Sequence, residues 1–448
     1  MPSTANRKFT SETRPHTWFR RGVLFLSALL VLAASSPTSA AATESAATES
    51  AAADASVISD WNNLAVTTLA SDTTKMAPET VLYLGFVQAA VYDAVVGIDG
   101  RYQPYLFHQR APQGSSARAA AVAAAHKVLV TYSPYDQVGL DSAYTESLRQ
   151  IPEGPSKTNG IAFGIAAADN LIKSRINDGR NAPVLFNQLP APGVWRPTLP
   201  TFTPMLDPWL GGVKPLLVRS ATQFAPPPPP SLTSRTYTRD FAEVKAFGSK
   251  TSTVRSLDQT SVAMFFSGSA IIQFNTSLRD QMAVRHLDIV DAARMFAAVD
   301  MVSADALITV WRAKFYLGLW RPITAINLAN TDGNAATIAD PDWSPLVGTP
   351  AYPEYPSGYN VLTAAFSGGL DQLFGTDCLA ITLISSAVPG VERHYDSGRA
   401  LRADVVNARV WLGFHFRNSD IVSRNLGLRL TDWALDRYFQ PTHKGWNA

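Results

Sequence analysis

Lys314-Phe315-Tyr316-Leu317-Gly318-Leu319-Trp320-Arg321-Pro322 sets two cations in a segment too apolar to remain in solvent. Burying an ammonium or a guanidinium is costly unless an anion compensates it. Lys314 and Arg321 are seven residues apart, which on one continuous helix places them on a single face two turns apart. Asp305 and Asp404 are the carboxylates within the chain that could pair with them; the other partner is an external oxyanion. Two later stretches favour the oxyanion. Tyr355-Pro356-Ser357-Gly358-Tyr359 precedes the apolar run Val361 to Phe374, so Pro356 and Ser357 read as a helix start. The free N–H groups and dipole of such a start attract an anion. Arg409-Val-Trp-Leu-Gly413-Phe-His415 adds a guanidinium and an imidazole. Their spacing is about 240° around a helix. The helix is therefore expected to end near Gly413, with His415 reaching the site from another direction.

The three stretches resemble the pattern Lys-x6-Arg-Pro, Pro-Ser-Gly-His, Ser-Arg-x5-His. That is the pattern of the vanadium-dependent haloperoxidases and the related type 2 phosphatidic acid phosphatase superfamily. Two positions depart from it: Tyr359 stands in place of His, and Ala408 in place of Ser. Asp305-Ala-Leu-Ile, Trp311, Trp320 to Ile326, Asp340 to Pro345 and Thr349 to Tyr355 are similar to the secreted bacterial haloperoxidase-like branch. So is Val194-Trp195-Arg196-Pro197-Thr198, which in that branch lies near the active-site entrance.

The resemblance implies an all-α fold of two helical bundles joined by a Pro-rich connection, vanadium chloroperoxidase-like, with the anion site in the second bundle. It implies vanadate as cofactor, although phosphate could occupy the same site. Lys314, Arg321, Ser357, Gly358 and Arg409 would bind the oxygens, and His415 would be the axial vanadium ligand. Lys314, His415 and Tyr359 would be catalytic, with hydrogen peroxide, a halide and a small organic molecule as substrates. Asp420 and Asp404 are the carboxylates expected behind the site, Asp420 orienting His415. Tyr359 decides the chemistry. A phenol titrates near pH ~10 and an imidazole near neutrality, and general acid–base catalysis contributes ~10²–10⁴-fold. Bromide or iodide oxidation is therefore expected rather than chloride oxidation. His394, just before the third stretch, is a candidate replacement for the missing imidazole. The alternatives are a phosphatase acting through a phosphohistidine at His415, and an oxyanion-binding or cofactor-free member without haloperoxidase turnover.

Composition fits a large globular protein: 448 residues, 46% hydrophobic and 17% charged. A net charge of +2 gives no field to favour nucleic acid as a partner. The lone cysteine, Cys378, excludes an internal disulfide and a Cys-rich zinc site, and reads as packing filler. Residues 1–41 read as a signal peptide: Arg20-Arg21, compatible with twin-arginine export, then an apolar run and Ser39-Ala40-Ala41. Secretion is the expectation, and no later segment is expected to span a bilayer. Residues 42–55, Ala-, Thr-, Glu- and Ser-rich, read as a disordered spacer. Residues 56–225 are expected to form an N-terminal helical half and 226–448 a C-terminal half. The Pro-rich stretch 183–231, ending in Pro226 to Pro230, reads as a surface connection between them.

Overall fold

The computed structural model describes residues 38–375 and 380–442, with side chains from residue 55 onward. Cys378 and nearly all of the expected signal peptide lie outside these residues. The architecture below belongs to the compact unit that begins at Thr48.

Helix α1 (Thr38–Ser71) includes residues 42–55, which were expected to be a disordered spacer. Ala and Glu are strong helix formers. From Ala55 the sequence also acquires a buried stripe at helical spacing: Ile58, Trp61, Ala65 and Leu69. Helix α2 (Ala77–Asp99) starts where Met76 N–H donates to Glu79 at 2.8 Å, and ends at the left-handed Gly100. Its mean hydropathy of 1.7 and its length would suffice to cross a membrane, contrary to expectation, but 94% of that window is buried inside the protein. The helix is apolar all round because other helices surround it.

Helices α3 (Ala117–Tyr132), α4 (Gln137–Arg149) and α5 (Pro155–Ser174) complete the first bundle. The second contains α6 (Arg235–Phe247), α7 (Leu257–Phe265) and α8 (Ala270–Val284). Ser267-Gly268-Ser269 separates α7 from α8. Helix α9 (Ile289–Leu317) is continuous, and Asp288 caps it through the N–H groups of Val290 and Asp291. Then follow α10 (Pro322–Asn327), α11 (Gly358–Phe374), the short antiparallel pair β1 (Ile381–Ile384) and β2 (Glu392–Tyr395), α12 (Gly398–Trp411) and α13 (Arg417–Leu435).

The two bundles share one interior. Helix α2 of the first lies so close to α9 of the second that a Cβ on Gly85 would sit 3.0 Å from Ala304 Cβ. One apolar cluster runs through both, from Ala55 to Phe439. The Pro-rich connection is pinned to this interior. Asp305 of α9 accepts the N–H groups of Leu216, Leu217 and Val218 at 2.6, 2.7 and 2.8 Å. Tyr355 donates its hydroxyl to Pro227 O at 2.7 Å. Asp305 is thus a structural clamp for the connection and not a partner of the cations.

Candidate active site

Lys314 and Arg321 do not share a helix. Gly318, at φ +56, ends α9, a conformation that costs glycine little. The chain then runs extended through Leu319 and Trp320 to Arg321, the N-cap of α10. Backbone hydrogen bonds hold this stretch from both sides. Trp195 N–H donates to Gly318 O at 2.6 Å, Trp320 N–H to Gly193 O at 2.9 Å, and Glu354 N–H to Leu319 O at 2.8 Å. The Val194–Trp195 segment therefore braces the backbone between the two cations. Ser357 is the N-cap of α11 and Gly358 its first residue. As the spacing predicts, α12 ends just before Gly413 (φ +78), and His415 lies in the connection to α13.

These elements gather Lys314, Arg321, Arg409, Ser357 and His415, all buried, with Lys314, Arg321 and Ser357 at 0% exposure. Among the described residues none of the three cations makes an ion pair; the hydrogen-bond acceptors they find are chiefly carbonyl oxygens. Lys314 Nζ donates to Pro353 O at 2.7 Å and Glu354 O at 3.0 Å. Arg321 donates to Tyr352 O at 2.8 Å and Phe414 O at 3.0 Å. Arg409 Nη1 donates to Phe266 O at 2.9 Å. Arg321 Nη2 and Arg409 Nε have no hydrogen-bond partner, and an ammonium has a third proton to give. Burial, and then the neighbouring Arg321, hold the Lys314 ammonium well below its usual range. Burial lowers both arginines as well. A cage of buried cations with spare donors beside a helix start is built for an oxyanion. Among the described residues no three His, Cys, Asp or Glu side chains converge as they would on a bare metal cation. The donor set fits vanadate or phosphate.

His415 is 1% exposed. Burial, reinforced by Arg321, Lys314 and Arg409, drives its pKa well below the usual value, so the ring is neutral. Arg321 Nη1 lies 3.4 Å from Nε2. Nδ1 lies 2.8 Å from Glu354 Oε1, and so carries the proton. Nε2 is left with its lone pair toward the cage. The carboxylate behind His415 is therefore Glu354, not Asp420. Glu354 also accepts Phe416 N–H at 3.1 Å and the Ser419 hydroxyl at 2.6 Å, and burial pushes its pKa up to about 7. Asp420 instead accepts from Asn360 Nδ2 at 2.7 Å. Its carboxyl, beside Ser357, is raised well above the usual range by burial. Asp404 is not part of the site; it accepts the Tyr395 hydroxyl at 2.8 Å. Glu354 was overlooked in the sequence, although a carboxylate three residues before Ser357, between prolines and tyrosines, was a visible signal.

Tyr359 presents its ring rather than its hydroxyl to the cage. Arg409 Cζ stands 4.8 Å from the ring centroid, while the hydroxyl donates to Gln273 Oε1. His394 is on the exposed β2 edge against Thr382 and does not replace the imidazole. A cavity of about 470 Å³ adjoins the cage; its wall includes Trp311, Tyr352, Gly358, Tyr359, Arg409 and Phe414.

Residues 294–444 match the family described as the VCPO second helical-bundle domain. Vanadium chloroperoxidase of Curvularia inaequalis is 26% identical over 197 residues, covering 33% of this chain and 31% of that protein. The match thus spans about a third of the length of this relative. A bacterial vanadium-dependent iodoperoxidase superposes with a TM-score of 0.74 at 20% identity, covering 86% of this chain and 98% of the other. The holo form of a bacterial vanadium-dependent chloroperoxidase gives 0.65 at 18% identity, covering 80% and 91%. The fold is the helical architecture of the vanadium haloperoxidases. Residues 294–444 thus resemble the second helical bundle of the vanadium chloroperoxidases, and the chain as a whole shares the fold of the bacterial enzymes.

Proposed function

We propose that this protein is a vanadate-dependent haloperoxidase that oxidises bromide or iodide, rather than chloride, with hydrogen peroxide. The observation that carries the reading is the cage itself: three buried cations with unused donors around a neutral imidazole whose Nδ1 proton is held by Glu354. Lys314, Arg321 and Arg409 would bind the vanadate oxygens, with Ser357 and the N–H of Gly358, and His415 Nε2 would bind the vanadium. Vanadate bound there supplies a Lewis-acidic centre that activates peroxide toward a halide. Glu354 keeps His415 in one tautomer and one orientation. Lys314, anchored by two carbonyls, would give its remaining proton to an oxygen of the bound anion. The walls exclude bulk water, which strengthens each of these contacts.

The halide preference rests on position 359. No imidazole is present there, and the Tyr359 phenol is engaged with Gln273, so the harder oxidation of chloride lacks a proton carrier at that position. A phosphatase reading of the same cage suffers more from this, because an alkoxide leaving group would need an acid. The adjoining cavity gives room for a small organic acceptor. The leader read in residues 1–41 supports a secreted enzyme, which N-terminal sequencing of protein recovered from culture medium would test.

The deciding assay is bromination of a phenolic dye by purified protein with peroxide and bromide, with and without orthovanadate. Activity that requires vanadate and is lost in His415→Ala is expected. Hydrolysis of an aryl phosphate without any vanadate-dependent bromination would replace this reading with the phosphatase.

A further inference from the structure

We propose that Tyr352 supplies a second hydroxyl to the cage, besides that of Ser357, donating a hydrogen bond to the bound oxyanion from the cavity side. This rests on the oxyanion reading given above, and assigns to Tyr352 the donor role that the residue at 359 cannot fill in this chain.

Tyr352 is clasped to the cage by both its backbone and its ring. Its carbonyl accepts Arg321 Nε at 2.8 Å. Its ring centroid lies 4.8 Å from the same guanidinium and 5.0 Å from Lys314 Nζ. Trp311 supports the ring, centroid to centroid, at 4.9 Å. Contacts of this kind with two cations fix where the ring stands. The phenol end lies within the electrostatic reach of the Arg321 and Arg409 guanidiniums. Tyr352 also forms part of the cavity wall with Arg409 and Gly358, whereas the fully buried Lys314, Arg321 and His415 lie behind that wall. An oxyanion oxygen that points out of the cage toward the cavity therefore meets the Tyr352 edge.

The Tyr359 hydroxyl is tied off at both ends of its chain of hydrogen bonds. It donates to Gln273 Oε1, and Gln273 Nε2 donates to Phe265 O at 3.1 Å. Freeing it would leave a fully buried amide oxygen unpaired, which is unfavourable. The Tyr352 phenol oxygen faces the Arg321 guanidinium, toward which it can only accept, so its own proton is left to give. A neutral O–H donated to an anion forms a short, charge-assisted hydrogen bond without adding another cation to a cage that already holds three.

The test is the affinity of the full-length protein for orthovanadate and, separately, for inorganic phosphate, measured by calorimetry for wild type, Tyr352→Phe and Tyr359→Phe. Tyr352→Phe keeps the ring contacts and removes one oxygen; its melting temperature should match wild type. We expect it to bind both anions at least about tenfold more weakly, the loss of one hydrogen bond to a charged group. Tyr359→Phe should bind them within about twofold of wild type. A tyrosine ultraviolet difference spectrum should appear when phosphate is added to wild type and to Tyr359→Phe, and vanish in Tyr352→Phe. Unchanged affinity and an unchanged spectrum in Tyr352→Phe overturn the assignment while leaving the oxyanion cage intact. Loss of affinity in Tyr359→Phe instead returns the role to position 359. A wild-type protein that binds neither anion removes the cage reading and this inference together.

Discussion

At the scale of single residues, the site is governed by what each buried polar atom has to bond with. Glu354 satisfies three donors at once, from His415, Phe416 and Ser419. Replacing it by Gln keeps the shape and removes the charge opposite the imidazole. Glu354→Gln is expected to lower vanadate affinity by roughly 10–100-fold, the usual effect of disturbing a ligand's supporting partner; equilibrium dialysis measures it. Ser419→Ala removes one of those three donors and should weaken binding less. The same residues show what could be seen in the chain alone. Lys314, Arg321, Ser357, Arg409 and His415 were legible because ordered spacing and apolar surroundings mark them. Glu354 was not, since it reaches His415 across 61 positions of sequence. Asp420, five residues after His415, looked closer in sequence and bonds elsewhere.

At the scale of elements, helix ends aim the site. Gly413 at φ +78 turns the chain out of α12, and a Cβ there would lie 2.7 Å from Gly248 O and 2.8 Å from Pro345 Cβ. Gly413→Ala is therefore expected to cost about 1–3 kcal/mol and to displace His415. Chemical denaturation measures the first effect and vanadate binding the second. A polar contact set ties α1, α8 and α9 together beneath the apolar core. Asn62 Nδ2 donates to Asn275 Oδ1 at 2.7 Å, and Asn275 Nδ2 to Asp300 Oδ1 at 3.1 Å. Burial pushes Asp300 up to about 7. Because this folded value lies above the unfolded one, the folded state holds the proton more tightly. Its stabilisation is fully present below the unfolded pKa near ~3.9, and is lost as pH rises toward 7. The slope is at most about 1.4 kcal/mol per pH unit. Asp300→Asn should remove this slope, so the variant should gain stability relative to wild type between pH 5 and pH 8 in urea titrations.

At the scale of the molecule, a shared core and an uncompensated cage act against each other. Helix α2 is buried from Pro78 to Gly97 and packs on α9, the helix that ends just past Lys314. Unfolding the first bundle would strip the wall of the second, so a single cooperative transition is expected in calorimetry. The cage opposes this stability, because its cations are buried with carbonyls alone as strong acceptors. An oxyanion that binds only the folded state should therefore raise the melting temperature. The gain is about 2.7 kcal/mol at a hundred times Kd. Thermal melts with phosphate and with orthovanadate would measure it, and His415→Ala should reduce the vanadate effect more than the phosphate effect.

The amino-acid sequence by itself determined most of the helices, the buried polar residues that gather in the cage and the end of α12 before His415. Each of these is a local matter of apolar period, helix-start chemistry or a glycine stop. Helix propensity carries α1 through residues 42–55, whose composition alone suggests a spacer. The tertiary structure alone decided that Lys314 and Arg321 meet across a chain reversal at Gly318. It also decided that Glu354 holds His415, and that the phenol of Tyr359 turns to Gln273 while Tyr352 stands over the cations. These outcomes depend on which buried donor finds which acceptor across distant segments, and sequence spacing carries no record of that.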